Sequence, residues 1–165
     1  MKNIKQSFKT GLSFGLTSAV ITTLGLIVGL HSGTHSKIII LGGVLTIAIA
    51  DSFSDALGIH VSEESNKERS QRQIWESTIA TFLSKLFIAL TFVVPVLIFS
   101  LMTAVIISVV WGLMLVTGFS FYIAKQQEGK IWTVVAEHFV ITVLVIAATH
   151  YVGSLINLLI KNFGI

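Results

Sequence analysis

Hydrophobic and polar positions along this chain are sorted into long blocks. Five apolar runs, at about 11–30, 38–59, 77–99, 101–123 and 131–160, are separated by short polar breaks. None alternates with the period of two that marks a half-buried strand, and each reaches the ~20 residues that a helix needs to cross the hydrocarbon core of a bilayer. Inside lipid a backbone meets its hydrogen-bonding needs only as helix or closed barrel, so the pattern predicts an all-α integral membrane bundle. Five transmembrane helices in a single domain over residues 1–165 are expected, with the polar segment 60–76 carrying the second helix out beyond the membrane. The first run is longer than the apolar core of a signal peptide and carries glycines and hydroxyls at helical spacing, so it is expected to be retained. Ser100 alone separates the third and fourth runs and Pro95 lies just before it, which predicts a tight antiparallel hairpin with a site for a kink.

Composition agrees with that picture. Of 165 residues 53% are hydrophobic and 12% charged, with a mean hydropathy of +0.88, outside the range of soluble domains. With five spans in 165 residues, no separate soluble domain is expected within this sequence. There is no cysteine, which removes disulfides, thiolate metal sites and thiol nucleophiles. With the amino terminus placed in the cytoplasm, Lys2, Lys5, Lys9, Lys67, Arg69, Arg72, Lys85, Lys125 and Lys130 fall inside and only Lys37 and Lys161 outside, as the positive-inside rule asks. The net charge of +3 then reflects topology, and because the basic residues flank spans without interleaved aromatics, nucleic acid is not an expected partner. No targeting extension is visible, so a prokaryotic plasma membrane is the simplest expectation.

Within the apolar runs the carboxylates carry the information. Asp51 and Asp55 lie four residues apart in the second run, and a carboxylate in hydrocarbon costs several kcal/mol unless it faces an ion, a partner or a cavity. Residues so spaced stack on one helix face. At about 1.5 Å per residue, Asp55, Lys85, Glu137 and His138 come to similar depth in the cytoplasmic half. The oxygens of these carboxylates, with Ser52, Ser54 and a neutral imidazole, suit a divalent first-row cation such as iron(II) or manganese(II), and the same groups are suited to carry protons in exchange. Lys85 has a structural reading beside this one: it neutralises Asp55 or Glu137, or snorkels to the surface. Adjacent residues point in different directions, so Glu137 and His138 do not both face one point.

The polar segment offers a second set, His60, Glu63 and Glu64. His60 and Glu64 have the spacing to share a metal, whereas a solvated helix with Glu63–Lys67 and Glu68–Arg72 pairs is the simpler account. His150 is expected to pack or hydrogen-bond, and His31 and His35 to sit in the outer loop. Gly11, Gly15, Ser18, Thr22, Gly25 and Gly29 form a small-residue stripe on the first helix, matched by Gly43, Ala50, Ser54 and Gly58 on the second, so that these helices are expected to pack on each other or across a twofold axis.

Gly15-Leu16-Thr17-Ser18, Leu24-Gly25-Leu26-Ile27-Val28-Gly29-Leu30 and the run from Ala50 to Ser65 together resemble the vacuolar iron transporter family. The resemblance covers most of the chain and is sharpest in the first two helices. It implies a homodimer that exports iron(II) and manganese(II) from the cytosol in exchange for protons, along a path between the first two helices of both subunits. The chain departs from that family at its ligands: Phe14 stands where members commonly have an aspartate, and Asp55 and Ile59 fall where they have a methionine and a glutamate. The acidic cytosolic insert is also shorter here. A ligand set rebuilt around Asp51 and Asp55, all oxygen, leaves manganese(II), magnesium and calcium open beside iron(II). Two other classes compete. No His-Glu-x-x-His, Gly-x-Ser-x-Gly or cysteine motif marks an intramembrane enzyme. A non-transporting membrane scaffold would suit the glycine stripe and the ion pairs equally well.

Overall fold

The computed structural model describes residues 2–126 and 130–163, apart from the side chains of 2–5 and 126, so the side chains of Lys2 and Lys5 lie outside the described residues. Six helices follow in order: α1 Lys2–Thr34, α2 Lys37–Glu64, α3 Gln71–Thr91, α4 Val93–Ile98, α5 Leu101–Gln126 and α6 Ile131–Phe163. Among the described residues there is no strand. Five spans are long and apolar enough to cross a membrane, α3 and α4 together making the third. Most helices outrun their apolar runs, because a polar helical residue can hydrogen-bond its backbone internally on either side of the hydrocarbon boundary.

Helix α1 stands at the centre and packs against α2, α3, α5 and α6. Glycine makes that possible. Gly11 and Gly15 lie so close to Ser77, Thr81 and Ser84 of α3 that a methyl group at either would collide with α3; Gly25, Gly29 and Gly33 lie along Thr149 and Gly153 of α6, where the collision would come from a methyl group at Gly153 against Gly29 O. The α1 glycines are therefore divided between α3 and α6, while the expected packing of the first two helices on each other is also present. Helix α2 meets α1 through Gly43, which receives Leu26 and Leu30. Ser77, Thr81 and Ser84 turn their hydroxyls back to carbonyls four residues earlier in α3, so small polar side chains line the contact without unmet hydrogen bonds. Val20, Leu24, Ile27, Ile40, Val44, Phe92 and Val96 fill the apolar core.

Pro95 sets the break between α3 and α4. Its ring nitrogen has no proton for the Thr91 carbonyl and its ring crowds that position, so α3 stops at Thr91 and the Phe92 amide turns to Ala89 O at 3.1 Å. The expected kink is thus a break one turn before the proline. Lys37 then closes the far end of α4, donating to Leu97 O at 3.1 Å and Phe99 O at 3.0 Å, a cation on the exposed carbonyls of a helix C-terminus. The hairpin is close only near its turn. Trp111 Nε1 donates to Thr91 Oγ1 at 3.0 Å, and the rest of α5 packs on α1 and α6.

The polar segment does two things. Its first part continues α2 to Glu64; residues 65–70 form a turn, and α3 begins at Gln71 with a reciprocal cap between Ser70 and Gln73. Because the helix ends at Glu64, the expected i,i+4 pairs do not form: Glu63 instead pairs with Arg69 at 2.8 Å across the turn, and Arg72 with Glu76 at 3.0 Å. Arg69 also donates to Ser7 Oγ at 3.2 Å, tying the turn to the start of α1.

Candidate ion site within the bundle

Asp51 and Asp55 project from the α2 face that also buries Ala48, Ser52 and Ala56. Opposite them, α3 supplies Lys85, 1% exposed along a stem packed in the bundle. Its Nζ lies 2.7 Å from Asp51 Oδ2 and forms a second ion pair with Asp55 Oδ2. A fourth group closes the cluster from α1: Ser18 Oγ accepts from Lys85 Nζ at 2.8 Å and donates to Asp55 Oδ2 at 2.5 Å. Three helices thus meet at one ammonium, and the close approach of α1 and α3 at Gly15, one turn before Ser18, is what brings the hydroxyl within reach.

The cluster is asymmetric. Lysine is the buried member, with 2% of its side chain exposed against 29% for Asp51 and 19% for Asp55. Each carboxylate engages Lys85 through Oδ2, and neither Oδ1 accepts a hydrogen bond among the described residues. Two carboxylates and one ammonium leave a formal charge of −1. An unpaired charge buried here would carry a large desolvation penalty, which the ammonium offsets from the inner side only. Next to the carboxylates, Gly42, Thr46, Ala50, Ser54 and Gly58 form an exposed line at four-residue intervals on the outer face of α2, with open space beyond both glycines.

The other candidates lie elsewhere. Glu137 is exposed in an outward groove on α6 with Trp132, Thr133, Ala136 and Val140, and makes no ion pair among the described residues. His138, half-buried, shares a 2.7 Å hydrogen bond with Ser120 Oγ of α5. The depth argument placed this pair level with Asp55, but α6 packs on α1 and α5 while α2 and α3 pack on each other, so the pair stands apart from Lys85. His60 Nδ1 is 3.0 Å from Thr78 Oγ1, its ring edge-on to Trp75; Glu63 is held by Arg69, and Glu64 is exposed. Of the seven candidate ligands Asp51 and Asp55 share one partner, and among the described residues no three His, Asp or Glu side chains form a metal-binding group. His150 shares a 2.7 Å hydrogen bond with Ser32. Ser18 went unrecognised as a site residue, because in the sequence it stands in a stripe of small residues whose role is helix contact.

Fold and site together define a polytopic helical membrane protein with an ion cluster inside its bundle. In comparisons with known proteins, no family model and no curated protein matches the chain.

Proposed function

We propose that this protein carries divalent metal cations across the membrane, with Asp51 and Asp55 receiving the ion and protons moving in exchange. One observation carries the reading: two carboxylates sit side by side within a bundle of helices apolar enough to span a membrane, each with one oxygen on a buried ammonium and a side chain that stays partly exposed. Charge at such a position is costly, and intramembrane carboxylates of this kind line ion and proton paths. Carboxylate and hydroxyl oxygens suit iron(II) and manganese(II), the ions implied by the resemblance to the vacuolar iron transporters, with export from the cytosol as the direction. A homodimer fits the same surface. The exposed line from Gly42 to Gly58 lets the α2 of a second copy approach closely, and a second pair of aspartates would bring the ligands that one chain lacks.

A non-transporting scaffold is the second reading. What favours it is the completeness of the Asp51–Lys85–Asp55 ion pairs, which already link α2 to α3. Uptake of iron(II) and manganese(II) into proteoliposomes, with and without a proton gradient, separates the two. A transporter gives gradient-dependent flux that falls about tenfold or more in Asp51→Asn and Asp55→Asn, a loss of ~1.4 kcal/mol or more in the rate-limiting step. A scaffold gives no flux with any divalent ion, and variants that assemble as well as the parent.

A further inference from the structure

An ammonium has three protons to give, and Lys85 has three oxygens within reach: Asp51 Oδ2 at 2.7 Å, Ser18 Oγ at 2.8 Å and Asp55 Oδ2. These oxygens come from α2 and α1 and converge on one point. Such a convergence is what a small hard cation asks of a protein, with ligand oxygens at ~2.0–2.6 Å from a metal of the magnesium, manganese or calcium kind. The point is already filled. Lys85 is 1% exposed, so its nitrogen is enclosed and leaves no second place among the same oxygens. Among the described residues no other charge contacts it: α1 contributes the Ser18 hydroxyl, α2 the two carboxylates, and α4 has no titratable residue.

We infer that the Lys85 ammonium is an internal occupant of the cation site: it holds Asp51 and Asp55 together while no metal is bound, and gives up its contacts with them when a divalent cation enters. Resting on the transport reading above, this assigns Lys85 the role of a specificity-determining competitor. Two positive centres cannot share one pair of carboxylates at ~3 Å separation without strong repulsion. The entering ion must therefore outbid a tethered ammonium at very high local concentration, which favours divalent over monovalent ions and keeps binding weak enough for release. The carboxylates give it a first foothold, since the aspartate side chains are 29% and 19% exposed and the lysine side chain 2%.

The test uses the intact protein in lipid nanodiscs with manganese(II) chloride as probe. Phenyl isothiocyanate, which partitions into membranes, adds a free amine N–H across its C=N bond to give a thiourea with no leaving group, and so modifies Lys85 once its nitrogen is released from the carboxylates and has given up its ammonium proton to solvent. Mass spectrometry reads the ratio of unmodified to modified Lys85, a readout on the amine that a metal on the carboxylates does not itself block. The expected result is a ratio that falls severalfold as manganese(II) rises through the range that saturates uptake, together with manganese(II) binding about tenfold or more tighter in folded Lys85→Gln, because one competing positive charge is gone. A merely structural lysine would leave the ratio unchanged and binding in Lys85→Gln equal or weaker, and either result overturns the inference. Should the parent protein show uptake while the ratio stays constant, only the role of Lys85 falls. Should it show neither uptake nor binding, the transport reading falls with it.

Discussion

Two of the apolar runs hold a carboxylate, and they solve the problem in opposite ways. Asp51 and Asp55 face α3 and share one enclosed ammonium, with Ser18 as a third support. Glu137 faces outward, without an ion pair among the described residues, beside an exposed Trp132 of the kind that settles at a membrane interface. His138, next in the chain, turns to Ser120. Position along a helix gives depth, but the direction of the side chain decides whether a charge becomes part of the interior. The first cluster links three helices; the second pair of residues serves two separate surfaces.

The sharpest test of this contrast is Lys85→Ala. It strands two partly buried carboxylates, and removal of one partner from a buried ion pair typically costs ~3–5 kcal/mol, so a marked fall in the thermal unfolding midpoint in detergent is expected. Adding Asp55→Asn to Lys85→Ala should recover part of the loss. If the midpoint stays unmoved, the cluster does not support the fold. Gly15→Leu is next: it forces α1 from α3 where there is no room for a side chain, at ~1–3 kcal/mol, and should also reduce any flux through the site by displacing Ser18. Ser18→Ala removes one support of Asp55 and leaves the packing intact, with an expected cost of ~1 kcal/mol in the same unfolding assay. Ser120→Ala, the corresponding change in the other region, should cost ~0.6 kcal/mol, typical of a side-chain hydrogen bond between transmembrane helices. Glu137→Gln is expected to stay within ~0.5 kcal/mol of the parent; a larger shift would mean that Glu137 has a partner in the membrane and that the contrast is false.

Much of the architecture was readable from the apolar blocks, because spans of this length and hydropathy have few folded alternatives. That Asp51 and Asp55 need a partner was readable from their cost in lipid. Pairing was harder. Nothing in a one-dimensional pattern says that Lys85 takes both aspartates and leaves Glu137 aside; that depends on α1 giving one side to α3 and another to α6. The glycines pointed to close contact without naming the partner, since a small residue admits any backbone. Ser18 was hidden for the same reason, as a hydroxyl among glycines reads as packing until a lysine is placed beside it. The pairing of Glu63 with Arg69 escaped because the pattern does not show that α2 ends at Glu64, one turn sooner than a continuous polar helix would.

The central place of α1 has a consequence for biosynthesis. This helix is made before every element it packs against, so its glycine faces wait in the membrane for α3 and then, longer, for α6. Gly29 and Gly33 meet Thr149 and Gly153 only once α6 has been translated. Closure of the bundle is therefore a late, post-insertion event, and a ribosome stalled before residue 149 would leave in the membrane a half-built structure with one groove of its central helix still vacant, the form that quality-control proteases and insertion chaperones would encounter.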